Sequence, residues 1–128
     1  MKRRVAGRLI GPVVIAGILG SGLRWAVGET VANPTATLLV VNTIGSFILG
    51  AVLAGPPRRS TRWLAVGFCG GLTTFSGFAL AVAERFRDNQ PGPALIIGLA
   101  SFLLAGGGYL LGRRWPGRFD PTPSEALP

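Results

Sequence analysis

Four long apolar runs, separated by clusters of proline and glycine, make up most of this chain of 128 residues. Each run is close to the ~20 residues that a helix needs to cross a hydrocarbon core of ~30 Å. Since only 14% of the residues are charged, little of the chain remains for a water-soluble domain. The sequence therefore predicts an all-α membrane protein with four transmembrane helices in residues 1–115, at about 9–27, 35–53, 63–83 and 93–111, and a disordered tail at 116–128.

The third run is interrupted at its centre by flexible and polar residues. Between Trp63 and Ala83 it carries no charge, yet its middle holds Gly70, Gly71, Thr73, Thr74, Ser76 and Gly77. Such residues weaken a helix, and an unpaired backbone group in hydrocarbon is costly unless protein or a cavity supplies a partner. We therefore expect the third helix to be broken near its centre, where something polar meets the chain at membrane depth.

The composition argues against enzymatic chemistry. Histidine is absent and Cys69 is the only cysteine, so neither a disulfide framework nor a cysteine–histidine pair can form within one chain. The single lysine, Lys2, lies at the N-terminus, and every acidic residue falls outside the apolar runs. The net charge of +8 comes from arginines that flank the runs, not from a basic face interleaved with aromatic residues, which disfavours nucleic acid as a partner. We expect a protein of the lipid bilayer that is not an enzyme.

The basic residues are distributed unevenly between the two sides that four spans define. Ten of them fall on the side of both termini and three on the other, which are Arg24, Arg85 and Arg87. We expect the chain to lie in the plasma membrane. Under the positive-inside rule, the bias predicts that both termini are on the cytoplasmic side.

A few side chains within the runs could meet a solute. Asn42 shares a helix face with small residues, so its carboxamide either bonds to another helix or contacts a permeating ion. Phe75 and Phe78 either fill the core or face lipid, or they offer their positive ring edges to an anion. Arg24 either reaches the interface or lines a wet vestibule. Ser101 is the only clear polar residue of the last run.

Three segments together closely resemble the CrcB/Fluc family of fluoride channels. They are Gly-Ser-Gly-Leu-Arg-Trp at 20–25, Thr-Leu-Leu-Val-Val-Asn-Thr-Ile-Gly-Ser-Phe at 37–47 and Gly-Phe-Cys-Gly-Gly-Leu-Thr-Thr-Phe-Ser-Gly-Phe at 67–78. The resemblance covers the first three spans motif by motif and the fourth by position and hydropathy only. It implies a fluoride-selective channel in a prokaryotic inner membrane that exports cytosolic fluoride passively and lowers its toxicity.

The same resemblance implies an antiparallel homodimer with dual topology, two fluoride pathways and a structural sodium ion at the dimer interface. The sodium ligands would be the backbone carbonyls of Gly70 and Thr73. The residues of the fluoride pathway would be Asn42, Phe75, Ser76 and Phe78, with Arg24 in the aqueous approach and Ser101 from the fourth span by approximate register.

Two departures from the family pattern concern local donors. Gly77 stands where the family usually has threonine, and Ala81 stands where an acidic residue is usual, with Glu84 the nearest acid. The uneven distribution of basic residues also disagrees with dual topology. A chain that inserts in both orientations should carry nearly equal numbers of basic residues on the two sides. We expect the partner to be a second copy inserted the other way, or a paralogue of opposite orientation.

Two rival functions remain open at this point. A small multidrug-type transporter also has four spans, but its proton coupling needs an intramembrane carboxylate, which the apolar runs lack. A non-transporting membrane scaffold would use the same polar groups for helix packing only. It predicts that replacing Asn42 or Phe75 changes stability without any ion flux to lose.

Overall fold

The computed structural model describes residues 2–55 and 59–115, with side chains described from residue 10 and, after the gap, from residue 60. This part of the chain is helical and contains no strand. Four of its stretches are long and apolar enough to cross a membrane, which confirms the predicted number of spans. Its helices are α1 (Lys2–Thr30), α2 (Pro34–Leu53), α3 (Arg59–Leu72), α4 (Phe75–Arg87) and α5 (Pro91–Arg114).

The predicted spans fall within these helices. The runs at 9–27, 35–53 and 93–111 lie inside α1, α2 and α5, each of which extends beyond the run at both ends or at one. The run at 63–83 is divided between α3 and α4. The tail predicted at 116–128 lies outside the described residues.

The helices pack as two close pairs in which glycine replaces side chains at the contact. In the first pair, Gly67 of α3 faces the carbonyl of Val13 and Gly71 faces that of Gly17, so α1 and α3 run in the same direction. In the second pair, α5 runs along α2, with Gly108 against Thr43 and Gly112 against the carbonyl of Phe47. Small residues at four-residue spacing let the helix backbones come this close. The remaining helix, α4, lies outside these two pairs and packs mainly against α5.

The third span is broken at Thr73 and Thr74, as the sequence predicts. The last bond of α3 joins the Thr73 N–H to the Cys69 carbonyl at 2.8 Å. Thr74 is extended, with φ −143° and ψ 117°, and its hydroxyl accepts the Gly77 N–H at 3.1 Å as the N-cap of α4. An N-cap of this kind gives a second helix a defined start, so the break is a fixed joint between two helices and not a frayed end. We call Thr73 and Thr74 "the break" below.

Asn33 fixes the start of α2 and provides a test of the fold away from the break. Its side-chain oxygen accepts the N–H groups of Thr35 at 3.0 Å and Ala36 at 3.1 Å, directly before Pro34 at the first helical position. We expect Asn33→Ala to lower the free energy of unfolding by about 1 kcal/mol, the usual cost of losing a cap. Denaturant unfolding in detergent measures this, and Asn33→Ser, which keeps a capping oxygen, should lose clearly less. Equal losses in the two variants would contradict the capping role.

Candidate functional site at the break

Asn42 of α2 reaches the break and bonds to both backbone polar groups of one residue, Thr74. Its Oδ1 accepts the Thr74 N–H at 2.8 Å, and its Nδ2 donates to the Thr74 carbonyl at 3.3 Å. The carboxamide thus pairs two backbone groups that a continuous helix would have satisfied internally. The sequence left two roles open for Asn42, and the structure establishes the interhelical bond. We call this pair of bonds the Asn42–Thr74 bridge.

The Asn42–Thr74 bridge leaves carbonyl groups free at the end of α3. The Gly70 carbonyl would normally accept from the Thr74 N–H, and the Thr73 carbonyl from the Gly77 N–H, but Asn42 and the Thr74 hydroxyl take those donors. Within the described part of the chain, neither the Gly70 nor the Thr73 carbonyl accepts a hydrogen bond. Gly70 is exposed, and a Cβ there would meet nothing within 4 Å. The backbone at Gly70 is therefore open to approach on one side of the single chain.

A cavity of about 360 Å³ adjoins the break between α2, α4 and α5. Four residues that the sequence analysis assigns to the pathway line it together: Asn42, Phe75, Phe78 and Ser101. Ser46, Thr73, Thr74, Phe102, Ala105 and Gly106 complete its wall. None of these lining residues is charged, so an ion inside would be held by dipoles and ring edges alone. We call this space the pathway cavity.

The remaining two predicted pathway residues lie outside the pathway cavity. Arg24 lines a second cavity of about 250 Å³, and Thr74 belongs to the walls of both. Ser76 is exposed, and its hydroxyl lies 3.1 Å from the Thr74 hydroxyl. Ala81 and Glu84 also line the second cavity, so the nearest acid to position 81 lies in the same space.

Aromatic rings form a continuous row along the pathway cavity. The Phe75 and Phe78 ring centroids are 5.6 Å apart, and Phe102 meets Phe78 edge-on at 5.8 Å and 77°. Phe75 is 76% exposed and Phe102 is 70% exposed in the single chain. Both rings therefore have a face or an edge available to the cavity, to lipid or to another subunit.

Comparison with known proteins places this site in a family. The sequence profile of the CrcB-like protein, Camphor Resistance (CrcB) family matches residues 12–113, which is most of the chain and includes every residue of the two cavities described above. The chain belongs to the CrcB family. The resemblance seen in the sequence is thereby confirmed.

Bacterial relatives of this CrcB protein align over most of the membrane domain. It is 40% identical over 94 residues to the "Fluoride-specific ion channel FluC" of Proteus mirabilis, covering 65% of this chain and 75% of the relative. It is 41% identical over 88 residues to "FluC 1" of Yersinia pestis, covering 61% and 69% of the two chains. It is 38% identical over 108 residues to "FluC 2" of Parasynechococcus marenigrum, covering 80% and 79%.

The sequence analysis of this CrcB protein did not assign Ser46, Thr74 or Phe102 to the site. Ser46 lies one helical turn after Asn42, and that spacing places both on one face of α2. The sequence places Thr74 among the small and polar residues of the third span. Its contribution to the site is its backbone N–H and carbonyl, which both bond to Asn42. Nothing in the sequence distinguishes Phe102 from a lipid-facing ring, because the row with Phe78 exists only once α4 packs on α5.

Proposed function

We propose that this CrcB protein is a fluoride-selective ion channel that lets cytosolic fluoride leave the cell passively. The observation that carries the proposal is the pathway cavity, where an amide, hydroxyls and phenyl rings meet beside a broken span. The names of its relatives support the choice of ion. The protein acts as a channel and not as an enzyme.

The chemistry of the pathway cavity suits a small, strongly hydrated anion. Fluoride gives up its water only where hydrogen-bond donors replace it, and Asn42 still has one unused N–H on its carboxamide. The edges of Phe75 and Phe78 carry partial positive charge and can supplement those donors. Because the lining has no fixed cation, the anion is not trapped, which conduction requires. Arg24 lines the second cavity and attracts an approaching anion, and Glu84 in the same wall offsets part of its field.

The carbonyls of Gly70 and Thr73 fit a structural sodium ion. Hard cations prefer oxygen ligands, and these two oxygens have no hydrogen-bond donor in the described part of the chain. Two carbonyls alone are too few for a cation site, so a second subunit would supply the others. The open side at Gly70, with no Cβ, allows another backbone to approach. The bound ion would hold the two breaks together across an antiparallel dimer.

The identity of the second subunit depends on whether the chain inserts into the membrane in one orientation or in both. Arg62, Arg113 and Arg114 lie at one end of the helix pairs, and Arg24 and Arg85 lie at the other. A strong bias favours one orientation, which would call for a paralogue inserted the other way. Numbered names such as FluC 1 and FluC 2 among the relatives are consistent with paired chains. The family resemblance implies a homodimer, which we prefer, and conduction by the purified single chain would exclude an obligate paralogue.

Fluoride efflux from liposomes that contain the purified chain tests the function. We expect rapid fluoride efflux once a potassium ionophore balances charge, and chloride efflux no faster than from protein-free liposomes. Equal fluoride and chloride efflux would contradict selectivity, and no efflux of either ion would favour a scaffold.

Preparation without sodium should reduce dimer assembly on size exclusion, and unchanged assembly would count against the Gly70 and Thr73 site.

A further inference from the structure

The supply of free protons decides which side chains can hold an anion in the pathway cavity. A hydroxyl has one proton, and once that proton is donated to a carbonyl only lone pairs remain to face a neighbour. Lone pairs repel fluoride. The hydroxyls around the pathway cavity can therefore be sorted by where their protons go.

Two of the four hydroxyls that line the cavity, those of Thr73 and Ser101, already donate their protons to backbone carbonyls. The Thr73 hydroxyl donates to the Cys69 carbonyl at 2.8 Å, and the Ser101 hydroxyl donates to the Ile97 carbonyl at 2.8 Å. The Thr74 hydroxyl accepts the Gly77 N–H and shares a further hydrogen bond with Ser76. In this arrangement Thr73 and Ser101 offer oxygen lone pairs to the cavity.

Ser46 differs from the other hydroxyls of the wall. It is half-buried in α2, lines the pathway cavity and makes no hydrogen bond with any described residue. It lies four residues after Asn42, which puts the two side chains ~6 Å apart along the helix axis. The unused N–H of Asn42 and the free O–H of Ser46 therefore follow one another along the same wall.

We infer that the Ser46 hydroxyl donates a hydrogen bond to fluoride in the pathway cavity and forms the next binding position beyond Asn42. This inference rests on the proposed channel function. An anion leaving Asn42 then meets a second donor within one helical turn, which lowers the cost of moving a dehydrated ion through the uncharged cavity. Ser46 acts here as a determinant of conduction and selectivity, because each donor that replaces water favours the ion with the tightest hydration.

Two variants of Ser46 separate a hydrogen bond from a change of space. Ser46→Ala removes the donor and enlarges the cavity, whereas Ser46→Cys keeps a weak donor and narrows it. We expect about tenfold lower fluoride efflux for Ser46→Ala, which corresponds to ~1.4 kcal/mol, and an intermediate rate for Ser46→Cys. Thr43→Val is the matched control, because the Thr43 hydroxyl donates to Leu39 at 2.6 Å and Thr43 lines neither cavity.

The order of the rates decides the result. Liposome efflux at equal protein density, with dimer content checked by size exclusion, should give wild type and Thr43→Val the fastest rates, then Ser46→Cys, then Ser46→Ala. Ser46→Ala as fast as wild type, or faster than Ser46→Cys, would overturn the role of Ser46 while leaving the channel function intact. A wild-type chain that conducts no fluoride would overturn the proposed function itself, and the role of Ser46 with it.

Discussion

Asn42→Ala should lower fluoride efflux by roughly 100-fold, because it removes both bonds of the Asn42–Thr74 bridge and one donor to the ion. The Thr74 N–H and carbonyl then lose their partner at membrane depth. The backbone at the break must turn to find other partners, which moves the Phe75 ring and the free carbonyls of Gly70 and Thr73. We also expect the free energy of unfolding to fall by ~1–3 kcal/mol.

Asn33→Ala is the matched control for this variant. It also removes a carboxamide that makes two hydrogen bonds to the backbone, here by accepting two N–H groups, but at the start of α2 and away from the pathway cavity. We expect a loss of stability of comparable order with fluoride efflux retained. If both variants conduct like wild type at equal reconstituted density, Asn42 has no part in conduction and its bonds to Thr74 serve helix packing only.

Gly20→Ala should separate α1 from α3 and lower the free energy of unfolding by ~1–3 kcal/mol, the cost typical of overpacking. Gly20 is buried, and a Cβ there would collide with the carbonyl of Phe68 and approach the Leu72 nitrogen at 2.8 Å. Both contacts are backbone atoms, so no side-chain rotation relieves them. The two helices must move apart, directly beside the end of α3 that forms the break.

Gly22→Ala tests the same substitution on the same helix without the collision. A Cβ at Gly22 meets nothing within 4 Å, and alanine favours a helix more than glycine does. Thermal unfolding in detergent should therefore show a clear loss for Gly20→Ala and none for Gly22→Ala. Similar stability in the two variants would mean that α1 and α3 are not held by close backbone contact.

The number of spans and the position of the break follow from the sequence because the bilayer imposes them. A run of set length must be helical in hydrocarbon, and glycines with hydroxyl residues in mid-span can persist only if their backbone finds other partners. The partner itself could not be read from the sequence. Asn42 lies 32 positions from Thr74 in the sequence. Only the packing of α2 beside the break brings its carboxamide to the Thr74 backbone.

The wall of the pathway cavity was predictable only where a helix has one distinct polar face. α2 and the third span have such faces, which made Asn42, Phe75 and Phe78 candidates, and the family resemblance then implied that they belong to the pathway. In α5 small residues and leucines surround the helix, so Ser101 could be placed by approximate register only and Phe102 not at all. Which of the hydroxyls keeps a free proton depends on rotamers, which spacing along the chain does not fix.

The reversal potential of the purified channel in a planar bilayer, with high fluoride on one side and low fluoride made up with chloride on the other, tests the central claim most directly. The account holds that an uncharged cavity beside a bridged break passes fluoride and excludes larger halides. It predicts that the current reverses close to the equilibrium potential of fluoride. A reversal potential near zero, or a current that chloride carries equally well, would contradict it.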